Sequence, residues 1–273
     1  MKKVKNILIV IQARMGSSRL YGKVMKKVCS KPLLSLMIER VQYSKYGHNL
    51  LIATTEEKED DIIESLCRRD NVKCFRGSRV DLLDRHFKAA LWQNADIVVK
   101  IPSDCPLIDP SVIDRVIEHF IRNHDEVDYV SNLHPPTYPD GNDVEVMSFN
   151  ALHRAWKHAT LAFEREHTTP YIWMNPGIFR ISNVVWESGL DYSKTYRFTL
   201  DYQEDFDFIK AVYEELYDDD PLFSLNDILE LLKSKPFIRT INSMHCGKSW
   251  LNNLADINYG LNYSKLNSMP NQS

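Results

Sequence analysis

The chain has no apolar run near the roughly 18 residues that a bilayer-spanning helix needs, so a membrane partner is not expected. Its start, Met1-Lys2-Lys3-Val4-Lys5, has the basic character of a signal peptide. The apolar run 7–11 that follows is five residues long, short of the roughly 7–15 of a signal core. A soluble cytoplasmic protein is the expectation. Cysteine is sparse: Cys29, Cys67, Cys74, Cys105 and Cys246 are scattered, odd in number and form no C-x-x-C pair. That excludes a disulfide framework and a structural zinc site, and suits buried thiols in a reducing compartment. Net charge is only −3 over 273 residues, which lacks the basic excess of a nucleic-acid binder. Neither G-x-x-x-x-G-K-[ST] nor G-x-G-x-x-G occurs, so the chain has no P-loop and no dinucleotide fingerprint.

The most informative absence is local. Residues 1–38 hold nine Lys and Arg and no Asp or Glu; the first acid is Glu39. The remaining 235 residues carry 25 basic and 37 acidic side chains, a net −12. One end of the chain is built to meet anions. With 44% apolar residues there is material for a packed core, so a disordered or fibrous chain is excluded. The length fits one large domain or two small ones.

The run 7–11 (Ile-Leu-Ile-Val-Ile) is apolar and mostly β-branched, as in a strand buried on both faces of a parallel sheet. Residues 50–54 and 97–101 repeat that character. Helical patterns fall between and after them, at 33–43, 59–69, 81–93 and 110–121. Asp81 and Asp109 are placed as N-caps, the latter before Pro110 at the first helical position. This alternation predicts an α/β fold with a mostly parallel, right-handed, Rossmann-like sheet flanked by helices. From about 126 to 200 the texture changes to Pro, His and aromatics, with strands expected at 128–132, 144–149, 178–182 and 196–200. A smaller, partly antiparallel insertion is expected there. Helices at 203–217 and 224–233 follow. Residues 1–240 would form the catalytic domain and 241–273 a peripheral tail.

The segment Gln12-Ala13-Arg14-Met15-Gly16-Ser17-Ser18-Arg19-Leu20-Tyr21-Gly22-Lys23 directly follows the first strand. In an open parallel sheet ligands bind outside the carboxyl ends of the strands. Small residues there let backbone N–H groups approach an anion, and Arg14, Arg19 and Lys23 add charge. A triphosphate suits this loop. It would travel with Mg²⁺, which takes oxygen ligands and usually one or two carboxylates. Asp104, just past the strand 97–101, lies at the same sheet edge and is the candidate ligand. Asp201 precedes a helix and, by pattern alone, reads as an N-cap.

These residues resemble a known family. Ile11-Gln12-Ala13-Arg14-Met15-Gly16-Ser17-Ser18-Arg19-Leu20 and Gly22-Lys23-Val24 are similar to the opening of SpsF-like spore-coat polysaccharide proteins, within the wider group of acylneuraminate and 3-deoxy-manno-octulosonate cytidylyltransferases. The resemblance continues through Ala53-Thr54-Thr55, Phe75-Arg76-Gly77-Ser78, Asp104-Cys105-Pro106-Leu107-Ile108-Asp109, Tyr138-Pro139-Asp140-Gly141, Asp143-Val144-Glu145-Val146, Glu164-Arg165-Glu166-His167-Thr168-Thr169-Pro170-Tyr171-Ile172 and Asp201 with Glu204-Asp205. It implies a nucleotide-diphospho-sugar transferase-like fold. The implied activity is transfer of CMP from CTP to a small polar acceptor such as a sugar acid, in a homodimer. It implies that Arg14, Lys23, Asp104 and Asp201 are catalytic, with Asp104 and Asp201 holding Mg²⁺. Ala13, Gly16, Ser17, Arg19, Arg76, Gly77, Ser78 and Ser103 would join Arg14 and Lys23 on the nucleotide. Three positions depart from the family pattern: Tyr21 for Pro, Ser103 for Gly, and Tyr202-Gln203 for Thr-Pro.

The middle region supplies acceptor-binding candidates: Asp140, Asp143, Glu145, Arg165, His167 and Arg197. Arg197 fits a bidentate clamp on a substrate carboxylate or a structural ion pair, and both stay open. His167 is likewise open between a structural and a binding role. Trp156, Trp173 and Trp186 read as core residues. The alternative activity is a metal-dependent glycosyltransferase; a match to its usual D-x-D motif in Asp218-Asp219-Asp220 lies at a helix end.

Overall fold

The three apolar runs form the middle of one sheet. A computed structural model describes residues 5–248. In it β1 (Ile7–Gln12) pairs in parallel with β4 (Leu50–Thr55) on one side and β6 (Ile97–Pro102) on the other. A short ribbon, β2 (Lys27–Val28) and β3 (Lys31–Pro32), stands apart as a second sheet. β5 (Lys73–Gly77) extends the main sheet beyond β4. β7 (Tyr129–Ser131), β8 (Glu145–Ser148) and β9 (Ile181–Asn183) extend it past β6, giving the order β5-β4-β1-β6-β8-β7-β9. Only β8 runs against the others in this sheet. The middle region thus continues the main sheet, with one reversed strand as its antiparallel component.

Helices cover both faces. α1 (Leu33–Gln42), α2 (Asp61–Arg69), α4 (Pro110–Arg122), α8 (Gln203–Leu216), α9 (Leu225–Ser234) and α10 (Pro236–Thr240) pack on the face bearing Ile9, Ile11, Ile52 and Val99. α3 (Leu82–Trp92), α5 (Phe149–His158) and α7 (Pro170–Trp173) cover the face bearing Leu8, Val10, Leu51 and Val98, and α6 (Ala162–His167) packs beside α3 and α7. This division follows from the pleat, which sends alternate side chains to opposite faces. Asp81 and Asp109 do cap α3 and α4, accepting from the amides of Asp84 (2.8 Å) and Ser111 (2.7 Å). Among the described residues no helix is long and apolar enough to cross a membrane.

The expected strand at 196–200 is replaced by irregular backbone, joined to the loop before β8 by one isolated bridge between Asp140 and Arg197. Gly141 makes that approach possible. It sits at φ +106°, and a Cβ there would lie 2.6 Å from the Phe198 carbonyl carbon and 2.7 Å from the Thr199 nitrogen. Gly141→Ala is expected to cost roughly 2 kcal/mol, from positive φ and a backbone clash that no rotamer relieves. Urea denaturation measures it, and an unchanged midpoint and slope would refute the steric account.

The tail expected from 241 onward does not begin there as a peripheral element. Asn242 and His245 are buried. The rest of that expectation, from 249, lies outside the described residues.

Candidate active site

Two loops at the carboxyl edge of the sheet carry the candidate chemistry. The first is the basic loop after β1. The Ala13 amide donates to Ala53 O (3.1 Å), which fixes its start to β4. The Met15 amide donates to Asp60 Oδ1 (2.7 Å), while the Thr55 hydroxyl donates to the other Asp60 oxygen. Gly22, at φ +63°, donates to Met15 O (2.9 Å) and closes the loop. That turn sends Lys23 back across the sheet edge. Its Nζ donates to Leu200 O (2.6 Å) and Asp201 Oδ1 (3.0 Å), and lies 3.6 Å from Asp104 Oδ2.

The second loop holds the two aspartates together through the main chain. The Leu200 amide (2.8 Å) and the Thr199 hydroxyl (3.1 Å) both donate to Asp104 O. Asp201 is not the helix cap that pattern alone suggests. The amides of Asp201 (2.9 Å) and Tyr202 (3.0 Å) donate to Asp205 Oδ2, from within the first turn of α8. The Asp201 carboxylate is left to meet cations: Lys23, Arg19 Nη2 at 2.7 Å and Arg197 Nη2 at 3.1 Å.

Arg197 resolves to the structural alternative. It is buried, and its guanidinium spans Asp140 (3.0 Å), Asp201 (3.1 Å) and Asp205 (3.0 and 3.2 Å). Its fork is committed to those three carboxylates instead of an acceptor.

The crowding of carboxylates is visible in their proton affinities. Burial, and then the charge of Asp143, hold the Asp140 carboxyl well above its ordinary range against the pull of Arg197. Burial, and then Asp104, push Asp143 up to about 7. Like charges this close resist joint ionisation, and an added cation relieves them. Asp104 and Asp201, sharing one ammonium, therefore fit a divalent ion bound by two carboxylates with ligand oxygens completing its shell. Among the described residues no group of three or more His, Cys, Asp or Glu is placed to hold a metal ion.

The other candidates divide. Arg14 and Arg19 are exposed on the basic loop, with Gly16 and Ser17 half-buried between them. Gly16 has the Glu59 carboxylate beside it. The Ser103 amide donates to Gln12 O (3.3 Å), at the joint between β1 and β6. Gly77 is buried against Phe75 and Arg85, and the Ser78 hydroxyl accepts from the Asp81 amide (3.1 Å). Arg76 is fastened to Asp61 (2.6 Å), Glu64 (2.9 Å), Thr55 O (2.9 Å) and Glu57 O (2.9 Å). Arg165 joins α6 to its neighbours through Asp81 (2.6 Å), Trp156 O (3.0 Å) and Ala159 O (3.1 Å). Its guanidinium is committed there and not at the Asp104–Asp201 cluster. Glu145 is buried against Lys100, its register partner, and accepts from the Tyr129 hydroxyl (2.6 Å). Burial favours its neutral form, but the Lys100 charge outweighs this and holds the carboxyl below its ordinary value. His167 closes α6, where burial lowers its pKa. Trp173 and Trp186 are buried, and Trp156 stacks on Phe87 at 4.3 Å, as core residues do.

Sequence reasoning gave no site role to Asp60, Asp205 or Lys100. Asp60 sits in an acid-rich stretch, 56–61, that gives it no distinction. Lys100 did carry a signal, as a charge inside the apolar run 97–101.

Comparison with known proteins agrees with this geometry. The family model described as cytidylyltransferase matches residues 8–230. The spore coat polysaccharide biosynthesis protein SpsF of Bacillus subtilis is 32% identical over 238 residues, covering 85% of this chain and 96% of that protein. A cytidylyltransferase structure from Leptospira borgpetersenii superimposes with a TM-score of 0.82 at 35% identity, covering 86% of this chain and 97% of that one. The 3-deoxy-manno-octulosonate cytidylyltransferase of Solibacter usitatus is 34% identical over 121 residues, 44% of this chain and 47% of that protein. With a basic loop after β1 facing paired aspartates across the sheet edge, and a family match running from β1 into α9, the chain belongs to the cytidylyltransferase family and is a nucleotidyltransferase.

Proposed function

We propose that the protein transfers CMP from CTP to a hydroxyl of a sugar acid or related surface-glycan precursor. The acceptor oxygen bonds to the α-phosphorus as the bond from that phosphorus to the bridging oxygen of the β-phosphate breaks. Pyrophosphate leaves, and the hydroxyl proton passes to solvent. The observation that carries this reading is the Lys23 ammonium, reaching from the basic loop to both Asp104 and Asp201. A cationic loop and a carboxylate pair at one sheet edge are what a metal–triphosphate needs from a protein.

Arg14, Arg19 and Lys23 neutralise the β- and γ-phosphates and the departing pyrophosphate. Gly16 and Ser17 present backbone and hydroxyl donors to them. Ala13, Arg76, Gly77, Ser78 and Ser103 line the base and ribose. Asp104 and Asp201 hold Mg²⁺, which when bound withdraws charge from the α-phosphate. Asp140, Asp143, Glu145 and His167 are kept as the acceptor-side set, while Arg165 and Arg197 hold the neighbouring loops and helices in place. The sugar-acid class rests on the relatives' names and on the polar middle region. The glycosyltransferase alternative gains nothing from Asp218-Asp219-Asp220, which lie past the end of α8. That helix is 14 residues long, so they lie about 20 Å from the Asp201 end.

Pyrophosphate release from each nucleoside triphosphate, with Mg²⁺ and a panel of sugar acids, tests the reading. CTP with at least one sugar acid is the expected productive pair. Nucleotide-sugar turnover without use of CTP would overturn it. Lys23→Ala should weaken CTP binding about tenfold or more, through loss of a charged donor to phosphate. Calorimetric titration measures this, and unchanged affinity would remove Lys23 from the triphosphate site. The reaction is placed in the cytoplasm, where CTP is supplied. A homodimer through the 126–200 region is supported by its exposed apolar residues Ile178, Val185 and Leu190. A monomeric mass in sedimentation would exclude it.

A further inference from the structure

Residues 242–248 lie beyond the part of the chain that the family model matches, yet they pack onto the Asp201 loop. Asn242 is 2% exposed. Its Nδ2 donates to Asp205 Oδ1 (3.0 Å) and to Arg197 O (2.9 Å). Those are the two residues that set Asp201: Asp205 receives the Asp201 and Tyr202 amides, and Arg197 grips the Asp201 carboxylate. Three residues further on, the His245 ring lies on the Tyr202 ring, with centroids 4.1 Å apart and planes 10° from parallel. His245 Nε2 meets Glu204 Oε2 at 3.2 Å. At Lys248 the main chain returns, and its carbonyl accepts from Arg197 Nη1 (3.1 Å).

We infer that residues 242–248 form a strap that positions Asp201, with Asn242 as its key positioning residue. The strap holds the backbone and the carboxylate of one ligand from behind, as partners one layer out orient metal ligands elsewhere. Asn242 suits this because one amide group donates to both the Asp205 carboxylate and the Arg197 main-chain carbonyl, tying the cap of α8 to the backbone that carries the guanidinium. The Tyr202–His245 stack fixes the residue following Asp201. Asn242 touches neither Lys23 nor Asp104; it acts through Asp205 and Arg197.

The inference rests on Asp201 being a metal ligand, and the test separates the two ideas. Mn²⁺ binding is measured by electron paramagnetic resonance on the full chain in the presence of CTP. Wild type, Asp201→Ala, Asn242→Ala, His245→Ala and Ile238→Ala are compared. Ile238 is buried in α10, and its truncation destabilises the same C-terminal layer without touching Asp205. Asn242→Ala should raise the Mn²⁺ dissociation constant about tenfold. His245→Ala should raise it by a smaller factor, and serves if Asn242→Ala does not fold. Ile238→Ala should leave it unchanged despite a lower melting temperature. In turnover, Asn242→Ala should lower kcat and raise the metal needed for half-maximal rate, with KM for CTP little changed. If wild type binds Mn²⁺ and both strap variants bind it equally well, the strap is structural only. If Asp201→Ala binds Mn²⁺ as well as wild type, the ligand assignment fails and the inference with it.

Discussion

Replacing Asp104 by alanine is expected to slow turnover about a thousandfold while leaving the melting temperature unchanged or raised. The rate loss follows from removing one of the two carboxylates proposed to hold a cation at the reacting phosphate. Losing one preorganised electrostatic contact typically costs 10²–10³ in rate, and a thousandfold is about 4 kcal/mol of barrier. The stability side follows from what the side chain touches. Asp104 is 31% exposed, and its carboxylate meets Lys23 at the long distance of 3.6 Å. The bonds that hold its loop run through its carbonyl oxygen, which alanine keeps. Its charge raises the proton affinity of both Asp140 and Asp143, so it sits there at an electrostatic cost. Removing it relieves that repulsion and lets the Asp143 pKa fall from about 7. Steady-state pyrophosphate release and thermal melting are read on the same preparation. Turnover within tenfold of wild type would end the metal assignment. A large drop in melting temperature would make Asp104 a structural residue instead.

That combination, activity lost and stability kept, marks residues retained for chemistry. It also shows why part of the site was legible in sequence. The basic loop was readable because it directly follows an apolar strand, and strand ends fix where such a loop must lie. Asp104 was readable for the same reason. The first four helices were readable from capping residues and periodicity, which act over a few residues. The middle region was harder. α5 begins with Ser148 accepting from the Ala151 amide (3.1 Å) and buries Ala151, Leu152 and Ala155, but its histidines and Trp156 mask that periodicity. The stretch 196–200 has the composition of a strand, yet it is recruited as a hinge between Asp104 O and Gly141, a tertiary demand that no local pattern carries.

Arg165 and Arg197 show the same limit at the level of single side chains. Whether an arginine meets a substrate or a neighbour depends on which carboxylate faces it. Asp81 lies 84 residues from Arg165, and Asp140 lies 57 from Arg197. Asn242 could not be found from sequence at all, because its role exists only through Asp205 and Arg197.

Arg197→Met is expected to be among the most destabilising single substitutions in the chain, costing about 3–5 kcal/mol. For a domain of this size that is a fall of roughly 10 °C in Tm. The guanidinium is buried at 2% side-chain exposure, and three carboxylates depend on it. Methionine restores the volume but leaves Asp140, Asp201 and Asp205 facing one another with Asp205 wholly buried. Lys23 and Arg19 still reach Asp201, but they approach its other oxygen and cannot serve Asp205. Arg197→Lys should not rescue, because one ammonium cannot reproduce a fork that spans three partners. The deficit should depend on pH with a definite sign. Arg197 pulls the Asp140 carboxyl pKa down against burial and Asp143, so this part of its contribution is present when Asp140 is ionised and is lost as pH falls through its folded value. Asp140, already held well above its ordinary range by burial, rises further when the cation is removed. The gap in stability between wild type and Arg197→Met should therefore narrow as pH falls from 8 to 5. Adding Asp140→Asn to Arg197→Met should recover part of the loss at pH 8 and less at pH 5. A melting temperature within about 2 °C of wild type, with no pH dependence, would mean that solvent or a shifted Lys23 already satisfies these carboxylates, and that Arg197 is free to serve the acceptor after all.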